Sequence, residues 1–256
     1  MRIRIALLLL FRIYITKLSY QIIQIMTKKM IIILFLPCVL TVAYKQSYAQ
    51  QPSVNFSANS EGLTVNGDLY KDMNGSPYLF DEWVKGNIQL KDGTIYNNLN
   101  LKYDQVRELL IFLADDNTSK RFSAPIKAFT LTNADDKNWP RITFRNGFKA
   151  IDGGNEKTYY EVLADGNTQL LKRTAKMIVD ERAPGSLILS KKISATTKFY
   201  ISDSNRIIKI KKDKESILEA LNNKQSELET YIKNNNLNLK GDADLVKLIE
   251  YYNTLK

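Results

Sequence analysis

The stretch GNIQLKDGTIYNNLNLKYD, residues 86–104, alternates apolar and polar residues on both sides of a tight-turn signal. Its apolar positions include Ile88, Leu90, Leu99, Leu101 and Tyr103. Because successive side chains of a strand point to opposite faces, this spacing predicts two strands that each bury one face. Asp92-Gly93 between them readily adopts the positive φ of a hairpin turn, so the stretch predicts an antiparallel β-hairpin.

The same pattern occurs twice more along the chain. In YYEVLADGNTQLLKRTAKMIVDE, residues 159–181, a strand reaches the turn at 164–167 and a second strand returns. TKFYISDSNRIIKIKK, residues 197–212, predicts a third hairpin that turns at 202–205. Three hairpins without a long amphipathic helix predict an antiparallel β-rich domain over residues 62–212, built as a meander sheet or a sandwich.

The apolar spacing changes to three and four after residue 213, which is the spacing of a helical stripe. The residues of this stripe are Ile217, Leu218, Leu221, Leu228, Tyr231, Ile232, Leu245, Leu248, Ile249, Tyr252 and Leu255. Gly241 and Asp242 supply a helix stop followed by an N-cap. Residues 213–256 therefore predict three short helices, which must pack on the sheet or on each other because they are too short to be stable alone. The expected fold class is α+β, with the antiparallel β-rich domain followed by a short C-terminal helical segment.

The N-terminal part of the chain has the layout of a secretory signal peptide at residues 26–49. Two lysines precede an almost unbroken apolar run at 30–42, and polar residues follow it. Ser47 and Ala49 place small side chains three and one positions before a cleavage point between Ala49 and Gln50. The apolar run is shorter than the roughly 20 residues that cross a bilayer, which favours a cleaved signal over a permanent anchor.

The segments on either side of this signal have their own expected roles. Residues 1–25 form a second basic, apolar stretch interrupted by Arg12 and Lys17, and we interpret them as an extra or mis-called N-terminal extension. Residues 50–61 are polar and are expected to form a linker before the β-rich domain. The expected location is therefore exported: periplasmic, outer-membrane-associated or extracellular.

Composition excludes several classes of function. The chain has a formal net charge of +10, but seven basic and no acidic residues lie in the first 49 positions, which leaves 30 basic against 27 acidic residues in the remainder. So balanced a surface does not predict a nucleic-acid partner. The chain has no histidine, and its one cysteine, Cys38, lies in the apolar run. Zinc sites of Cys and His, cysteine nucleophiles and Ser-His-Asp triads are therefore excluded from the mature chain, and we predict no metal, no cofactor and no stable membrane span there.

An aromatic cluster provides the candidate ligand-binding residues. SPYLFDEW, residues 76–83, brings Tyr78, Phe80 and Trp83 close together, and Trp139 follows later in the chain. Exposed aromatic rings form stacking platforms for sugars or peptides, although most aromatic side chains pack in cores or at sheet edges. We name Tyr78, Trp83 and Trp139 as the candidates for a ligand-binding face.

Charged clusters offer weaker candidates. Adjacent acids could supply the two carboxylates of a glycoside hydrolase, but acids adjacent in loops are more typical of solvated turns. The acidic pairs are Asp81-Glu82, Asp115-Asp116, Asp135-Asp136 and Asp180-Glu181. RIIKIKKDK, residues 206–214, could contact anionic lipid or glycan, but its lysines also suit the protection of an exposed strand edge. We predict no catalytic residue.

Several segments resemble exported cell-envelope proteins of Bacteroidota-type bacteria whose function is unassigned. They are the leader ending SYAQQ (47–51), the hairpins VKGNIQLKDG (84–93) and YYEVLADGNTQLLKR (159–173), and the ending LVKLIEYYNTL (245–255). The resemblance implies an envelope location and identifies no catalytic residues.

Three functional hypotheses follow from these observations. The first is an exported, non-enzymatic binding or scaffolding module whose partner is an envelope protein or a glycan. The second is a carboxylate-dependent hydrolase that acts on glycans. The third is a lipid-handling β-sheet protein, in which the helices close over an apolar groove. Neither the ligand nor the oligomeric state follows from the sequence.

Overall fold

A computed structural model describes residues 62–65, 68–132, 139–182 and 189–255. The predicted extension, signal peptide and linker at residues 1–61 lie outside the described residues, together with the cleavage residues Ala49 and Gln50. The acidic pair Asp135-Asp136 also lies outside them. The described residues belong to one compact unit.

Antiparallel strands dominate the described residues and are followed by three α-helices, so the predicted α+β, β-rich fold class is confirmed. The strands are β1 (Gly62–Thr64), β2 (Met73–Asn74), β3 (Val84–Leu90), β4 (Ile95–Asp104), β5 (Leu109–Leu113), β6 (Ser119–Phe122), β7 (Ile126–Leu131), β8 (Ile142–Arg145), β9 (Tyr160–Ala164), β10 (Gln169–Arg182), β11 (Leu189–Ser202) and β12 (Ile207–Ile210). The helices are α1 (Lys214–Leu221), α2 (Gln225–Asn234) and α3 (Asp242–Thr254), and a 3-10 turn spans Asp68–Tyr70.

All described strands belong to one continuous sheet with the order β1-β6-β5-β4-β3-β7-β8-β9-β10-β11-β12. Each neighbouring pair in this order is antiparallel, and the short β2 joins β11 in parallel through Lys191 and Lys192. The longest pair is β10 with β11, in which Gln169 pairs with Ser202 and Arg182 with Leu189. The outer part of this pair, residues 173–182 and 189–198, extends beyond β9 and β12, and we call it the ribbon.

The sheet buries two main apolar cores. The first lies on β3 to β8 and includes Ile88, Leu101, Tyr103, Phe112, Phe129, Leu131 and Phe144. The second lies between β9 to β12 and the helices and includes Leu170, Phe199, Ile201, Ile217, Leu228, Leu245, Leu248 and Ile249. The helical stripe therefore faces the sheet, as amphipathic helices of this length require for stability.

The hairpin of β3 and β4 shows how the sequence sets the local geometry. At its turn the Leu90 N–H donates to the Thr94 carbonyl at 2.9 Å, and Gly93 has φ +94°. Further along, β4 contains a β-bulge: Gly86 pairs with Leu99, whereas Ile88 pairs with Tyr96. The extra residue reverses the alternation, so both Tyr96 and Leu101 are buried although they lie five positions apart.

Candidate functional site

A cleft of about 380 Å³ lies beside the start of β3. Its lining combines three aromatic rings with charged, amide and hydroxyl groups: Phe80, Glu82, Trp83, Val84, Lys85, Asn100, Thr132 and Trp139. Pockets that bind small molecules commonly have volumes of roughly 300–1,000 Å³ and pair apolar walls with a few polar groups. The cleft has both properties and includes both tryptophans of the chain.

The segment before β3 positions the cleft because it continues alongside the end of β4. The Leu79 N–H donates to the Tyr103 carbonyl at 2.9 Å, and the Gln105 N–H donates to the Pro77 carbonyl at 2.9 Å. These two bonds fix the backbone on one side of Trp83. The aromatic segment of the sequence is thus held against the sheet by main-chain hydrogen bonds rather than by its side chains alone.

The pairing of β3 with β4 places the polar lining of the cleft. Lys85 is the strand partner of Asn100, and its neighbour Val84 packs against the first core. Because side chains alternate along a strand, Val84 and Lys85 project from opposite faces at the start of β3, and the cleft reaches both of them. Thr132 extends this arrangement from the far side of β3, since its N–H donates to the Lys85 carbonyl at 2.8 Å. An ammonium, an amide and a hydroxyl therefore surround the aromatic rings.

The aromatic side of the cleft is partly anchored in the first core. Phe80 and Trp139 both pack against this core, and their ring centroids are 5.4 Å apart with the planes inclined at 54°. Trp83 lies next to Lys102, whose Nζ is 4.9 Å from the indole centroid, in the geometry of a cation–π contact. Two indoles and a phenyl ring are thereby held at the cleft with their positions fixed by packing.

Tyr78 lies outside the lining of the cleft. Lys102 separates it from Trp83, because Nζ is also 4.9 Å from the centroid of the Tyr78 ring. Nζ of Lys102 donates a hydrogen bond to the backbone carbonyl of Asp81. Burial lowers the pKa of Lys102, and the charges of Asp81 and Glu82 partly oppose that shift. Burial, followed by the charge of Asp104, raises the pKa of the Tyr78 phenol.

Of the three residues predicted to bind ligand, the structure brings Trp83 and Trp139 together and places Tyr78 behind Lys102. Phe80, from the same aromatic segment, completes the aromatic wall, although it was not among the three candidates. Lys85 and Asn100 were also missed. Their alternation in the β3–β4 hairpin placed them on the polar face, but their pairing depends on the bulge in β4.

The described acidic pairs serve turns and ion pairs. The Asp116 carboxylate accepts hydrogen bonds from Thr118, and the carboxylates of Asp180 and Glu181 lie 3.6 Å and 2.8 Å from the ammonium groups of Lys191 and Lys192. Asp81 accepts a hydrogen bond from the Ser76 hydroxyl. A glycosidase needs two carboxyl groups roughly 5–10 Å apart across a cleft, and these contacts do not provide such a pair. Among the described residues, no group of three or more acidic, histidine or cysteine side chains is placed to hold a metal ion.

The lipid-handling alternative requires an open apolar groove under the helices. Side chains from both layers fill that position instead: Ile217 and Leu245 from the helices and Leu170 from the sheet are fully buried in the second core. None of the helices in the described part of the chain is long and apolar enough to cross a membrane. The packing between sheet and helices therefore gives this alternative no support.

Comparison of the chain with known proteins gives no match. No family of known proteins, no curated protein and no solved structure matches it. The interpretation of the cleft therefore rests on its own side chains and their geometry.

Proposed function

We propose that this protein is an exported, non-enzymatic binding module of the cell envelope that binds a glycan in the cleft between Trp83 and Trp139. The observation that supports the proposal is that both tryptophans of the chain line one pocket together with Phe80. The signal-like leader and the resemblance to envelope proteins support the location. The proposal assigns the protein no catalytic activity.

The chemistry of the cleft suits a sugar better than a fully apolar ligand. The C–H faces of a pyranose stack on indole rings, whose large flat surfaces become buried in the contact. The hydroxyl groups of the same sugar need donors and acceptors, which Lys85, Asn100 and Glu82 offer around the rings. Because Lys85 and Glu82 carry opposite charges, the lining favours a ligand without a strong net charge.

Intrinsic fluorescence provides a direct test because all the tryptophan emission of the protein comes from this cleft. We expect oligomers of N-acetylglucosamine or of glucose to cause a saturable change in tryptophan emission. Trp83→Ala should weaken binding, measured by calorimetry, by at least about tenfold, which corresponds to about 1.4 kcal/mol. Trp139→Phe should have a smaller effect, since it keeps a ring against the core.

Tyr78→Phe is the matched control for this experiment. It alters an aromatic residue next to Lys102 but outside the lining of the cleft, so the affinity should stay at the wild-type value. Thermal unfolding of each variant separates a loss of binding from a loss of fold. The proposal fails if none of these oligomers binds, or if Trp83→Ala binds them as tightly as the wild-type protein does.

A protein partner is the second candidate, and the ribbon is the observation that favours it. Met177, Ile178 and Leu189 on the ribbon are 53%, 38% and 57% exposed, which is unusual for large apolar side chains. The strand pairing places Ile178 and Leu189 on one face of the ribbon and Met177 on the other, and exposed apolar side chains are frequent at contact surfaces between proteins. An envelope protein captured by the wild-type chain and by Trp83→Ala, but not by the double variant M177S/L189S, would favour this candidate. Equal capture by all three chains would remove it.

A further inference from the structure

The face of the sheet opposite the helices is covered by a long connection between β8 and β9, residues 146–159, which we call the strap. Its two ends lie side by side, because Arg145 pairs with Tyr160. Loops between adjacent antiparallel strands usually take about 2–5 residues, and longer compact loops with neighbouring ends are frequently functional. Phe148 and Ile151 of the strap pack on a small buried cluster made of Tyr160, Leu171 and Tyr200.

The carboxylate of Asp152 fastens the middle of the strap to the sheet. Its Oδ2 lies 3.4 Å from the Lys198 ammonium and 3.2 Å from the Lys209 ammonium, and it accepts a hydrogen bond of 3.3 Å from the Tyr200 hydroxyl. Asp152 itself has φ +51° and the following Gly153 φ +78°, both in the left-handed region that non-glycine residues seldom adopt. The left-handed turn presents one carboxylate to two lysines and a phenol.

The remaining charged groups around this point are Arg173 and Glu108. Arg173 donates to Oε1 of Glu108 through Nε at 3.0 Å and through Nη2 at 2.7 Å. Its Nη1 donates to the Asp152 carbonyl at 3.4 Å. Glu108 thus neutralises Arg173, and Asp152 is the carboxylate that faces Lys198 and Lys209.

The hydroxyl of Tyr160 is the feature that the closed strap does not explain. The Tyr160 side chain is fully buried, and its hydroxyl has no hydrogen-bond partner among the described residues. It lies directly under the strap, since a Cβ on Gly154 would be 2.7 Å from the oxygen. Its ring meets the Tyr200 ring edge-on, with centroids 5.4 Å apart. Buried hydroxyls in native proteins nearly always have a partner, so the unpartnered hydroxyl of Tyr160 beneath the strap indicates a place for an acceptor there.

We propose that the closed strap covers a binding site for a phosphate group. The Asp152 carboxylate occupies this site until the strap lifts and phosphate binds in its place. A carboxylate offers two acceptor oxygens, and that of Asp152 leaves Tyr160 without an acceptor. A phosphate offers three terminal oxygens, enough for Lys198, Lys209 and the hydroxyls of Tyr200 and Tyr160 together. Opening of the strap exchanges one anion for the other.

The proposal predicts opposite effects for two small changes. Asp152→Asn removes the charge of the internal competitor, so inorganic phosphate should bind roughly tenfold more tightly than to the wild-type protein, because a larger fraction of molecules is competent to bind. Tyr160→Phe removes only the unpartnered hydroxyl, so it should leave the empty protein as stable as before or slightly more stable. It should nevertheless weaken phosphate binding. A hydroxyl with a purely structural role would not produce this combination.

Asp203→Asn is the matched control for Asp152→Asn. It removes one negative charge from the neighbouring β11–β12 turn, where the Asp203 carboxylate pairs with Arg206, and it leaves Asp152 and the two lysines that face it unchanged. Calorimetry with inorganic phosphate should show no gain in affinity for this control. Lys198→Gln combined with Lys209→Gln should abolish binding. The proposal is overturned if Asp152→Asn binds phosphate no more tightly than Asp203→Asn does, or if Tyr160→Phe binds it as the wild type does.

Hydrogen exchange of the wild-type protein keeps the proposal testable if Asp152→Asn does not fold. Added phosphate should increase exchange at the amides of residues 147–158, because the strap must lift, and the double lysine variant should show no increase. Unchanged exchange in the wild-type protein overturns the proposal. Glucose 6-phosphate and phosphatidylcholine vesicles with and without phosphatidic acid then identify the source of the phosphate. Tighter binding of the sugar phosphate indicates a soluble ligand, and selective binding to the acidic vesicles indicates a lipid headgroup.

Discussion

The contact of α3 with the β9–β10 turn yields the sharpest prediction about stability. The side chain of Asn253 near the end of α3 accepts a hydrogen bond from the Thr168 N–H at 2.9 Å and donates one to the Thr168 carbonyl at 2.8 Å. Thr168 is only 9% exposed, so water cannot easily replace either bond. Gly166 makes room for this contact, because a Cβ there would be 2.6 Å from Nδ2 of Asn253.

The magnitude follows from these two bonds. A typical hydrogen bond contributes about 0.5–1.5 kcal/mol, and a buried group left without its partner costs about 1–3 kcal/mol. We therefore expect Asn253→Ala to lower the free energy of unfolding by about 2–3 kcal/mol. Gly166→Ala should cost about 3–4 kcal/mol, because its Cβ displaces the Asn253 amide and the residue also has φ +148°, which is strained for alanine by about 1 kcal/mol.

The double variant G166A/N253A distinguishes this mechanism from two independent losses. Once the Asn253 amide is gone, the added Cβ has nothing to displace, so Gly166→Ala should add only its backbone strain to the loss caused by Asn253→Ala. We expect a total loss of about 3–4 kcal/mol, where additive effects would give about 5–7 kcal/mol. Such a difference is large enough to measure with confidence, because coupled neighbours commonly deviate from additivity by about 0.5–3 kcal/mol.

Urea unfolding followed by far-ultraviolet circular dichroism measures these losses. With a denaturant slope of about 2 kcal/mol per M, Asn253→Ala should lower the midpoint by about 1–1.5 M without a change in slope. Asn235→Ala is the control: its amide donates one exposed hydrogen bond to the Tyr231 carbonyl, so the loss should stay below about 0.5 kcal/mol. Additive losses in the double variant, or a loss below about 1 kcal/mol for Asn253→Ala, would refute the reasoning.

Three further predictions concern single charged or polar groups. Hydrogen bonding from Arg145 lowers the pKa of Asp165 to about 2, so its contribution is present above pH 4 and is lost as the pH falls towards 2. Asp165→Asn should remove that acid dependence from thermal unfolding curves, by at most about 1 kcal/mol because the pair is exposed to solvent. Lys176→Met should lower stability by about 1–2 kcal/mol, since its ammonium donates to two backbone carbonyls of the segment before β3. Tyr70→Phe should cost about 1.5–3 kcal/mol in urea unfolding, because its hydroxyl donates at 2.9 Å to the fully buried carboxylate of Asp104.

Exposed residues of the ribbon provide the controls for these three changes. Lys191→Met and Asp180→Asn alter charges that are well over half exposed, so each should change stability by less than about 0.5 kcal/mol. An acid dependence that persists in Asp165→Asn would contradict the first prediction. Losses of stability for Lys176→Met or Tyr70→Phe as small as those of the ribbon controls would contradict the predictions for these two variants.

Much of the fold could be predicted because period and turn chemistry are local properties. The alternation on both sides of Asp92-Gly93 indicated the strands that became β3 and β4, and the change of spacing after residue 213 indicated the helices. The bulge in β4 could not be predicted, because nothing in the sequence around Asn97 and Asn98 distinguishes an extra residue from continued alternation. Tyr96 was therefore missed as a core residue, although it is buried.

The candidate site was only partly predictable, because it depends on contacts between distant segments. Aromatic composition was enough to select Trp83 and Trp139, but their meeting in one cleft depends on the sheet order that sets β7 beside β3. Tyr78 was selected for the same compositional reason and lies on the other side of Lys102. The ion pairs of Asp152 could not be predicted from the sequence, because the two lysines that face it lie on strands that follow it by many residues. The signal peptide and the domain boundaries stay predictions.

The two main apolar cores lie on one sheet but consist of separate sets of buried residues, and this arrangement determines how the molecule can unfold in parts. Between them, β8 and β9 pair through only two residue pairs, Phe144 with Glu161 and Arg145 with Tyr160. Further links run from the ribbon, where Lys176 donates to the segment before β3 and Arg173 pairs with Glu108. The helices pack on the second core, and layers of this kind can open as separate cooperative units. We therefore expect the helical layer to open without disturbing the tryptophan cleft, so that a partly unfolded molecule would keep Trp83 and Trp139 together.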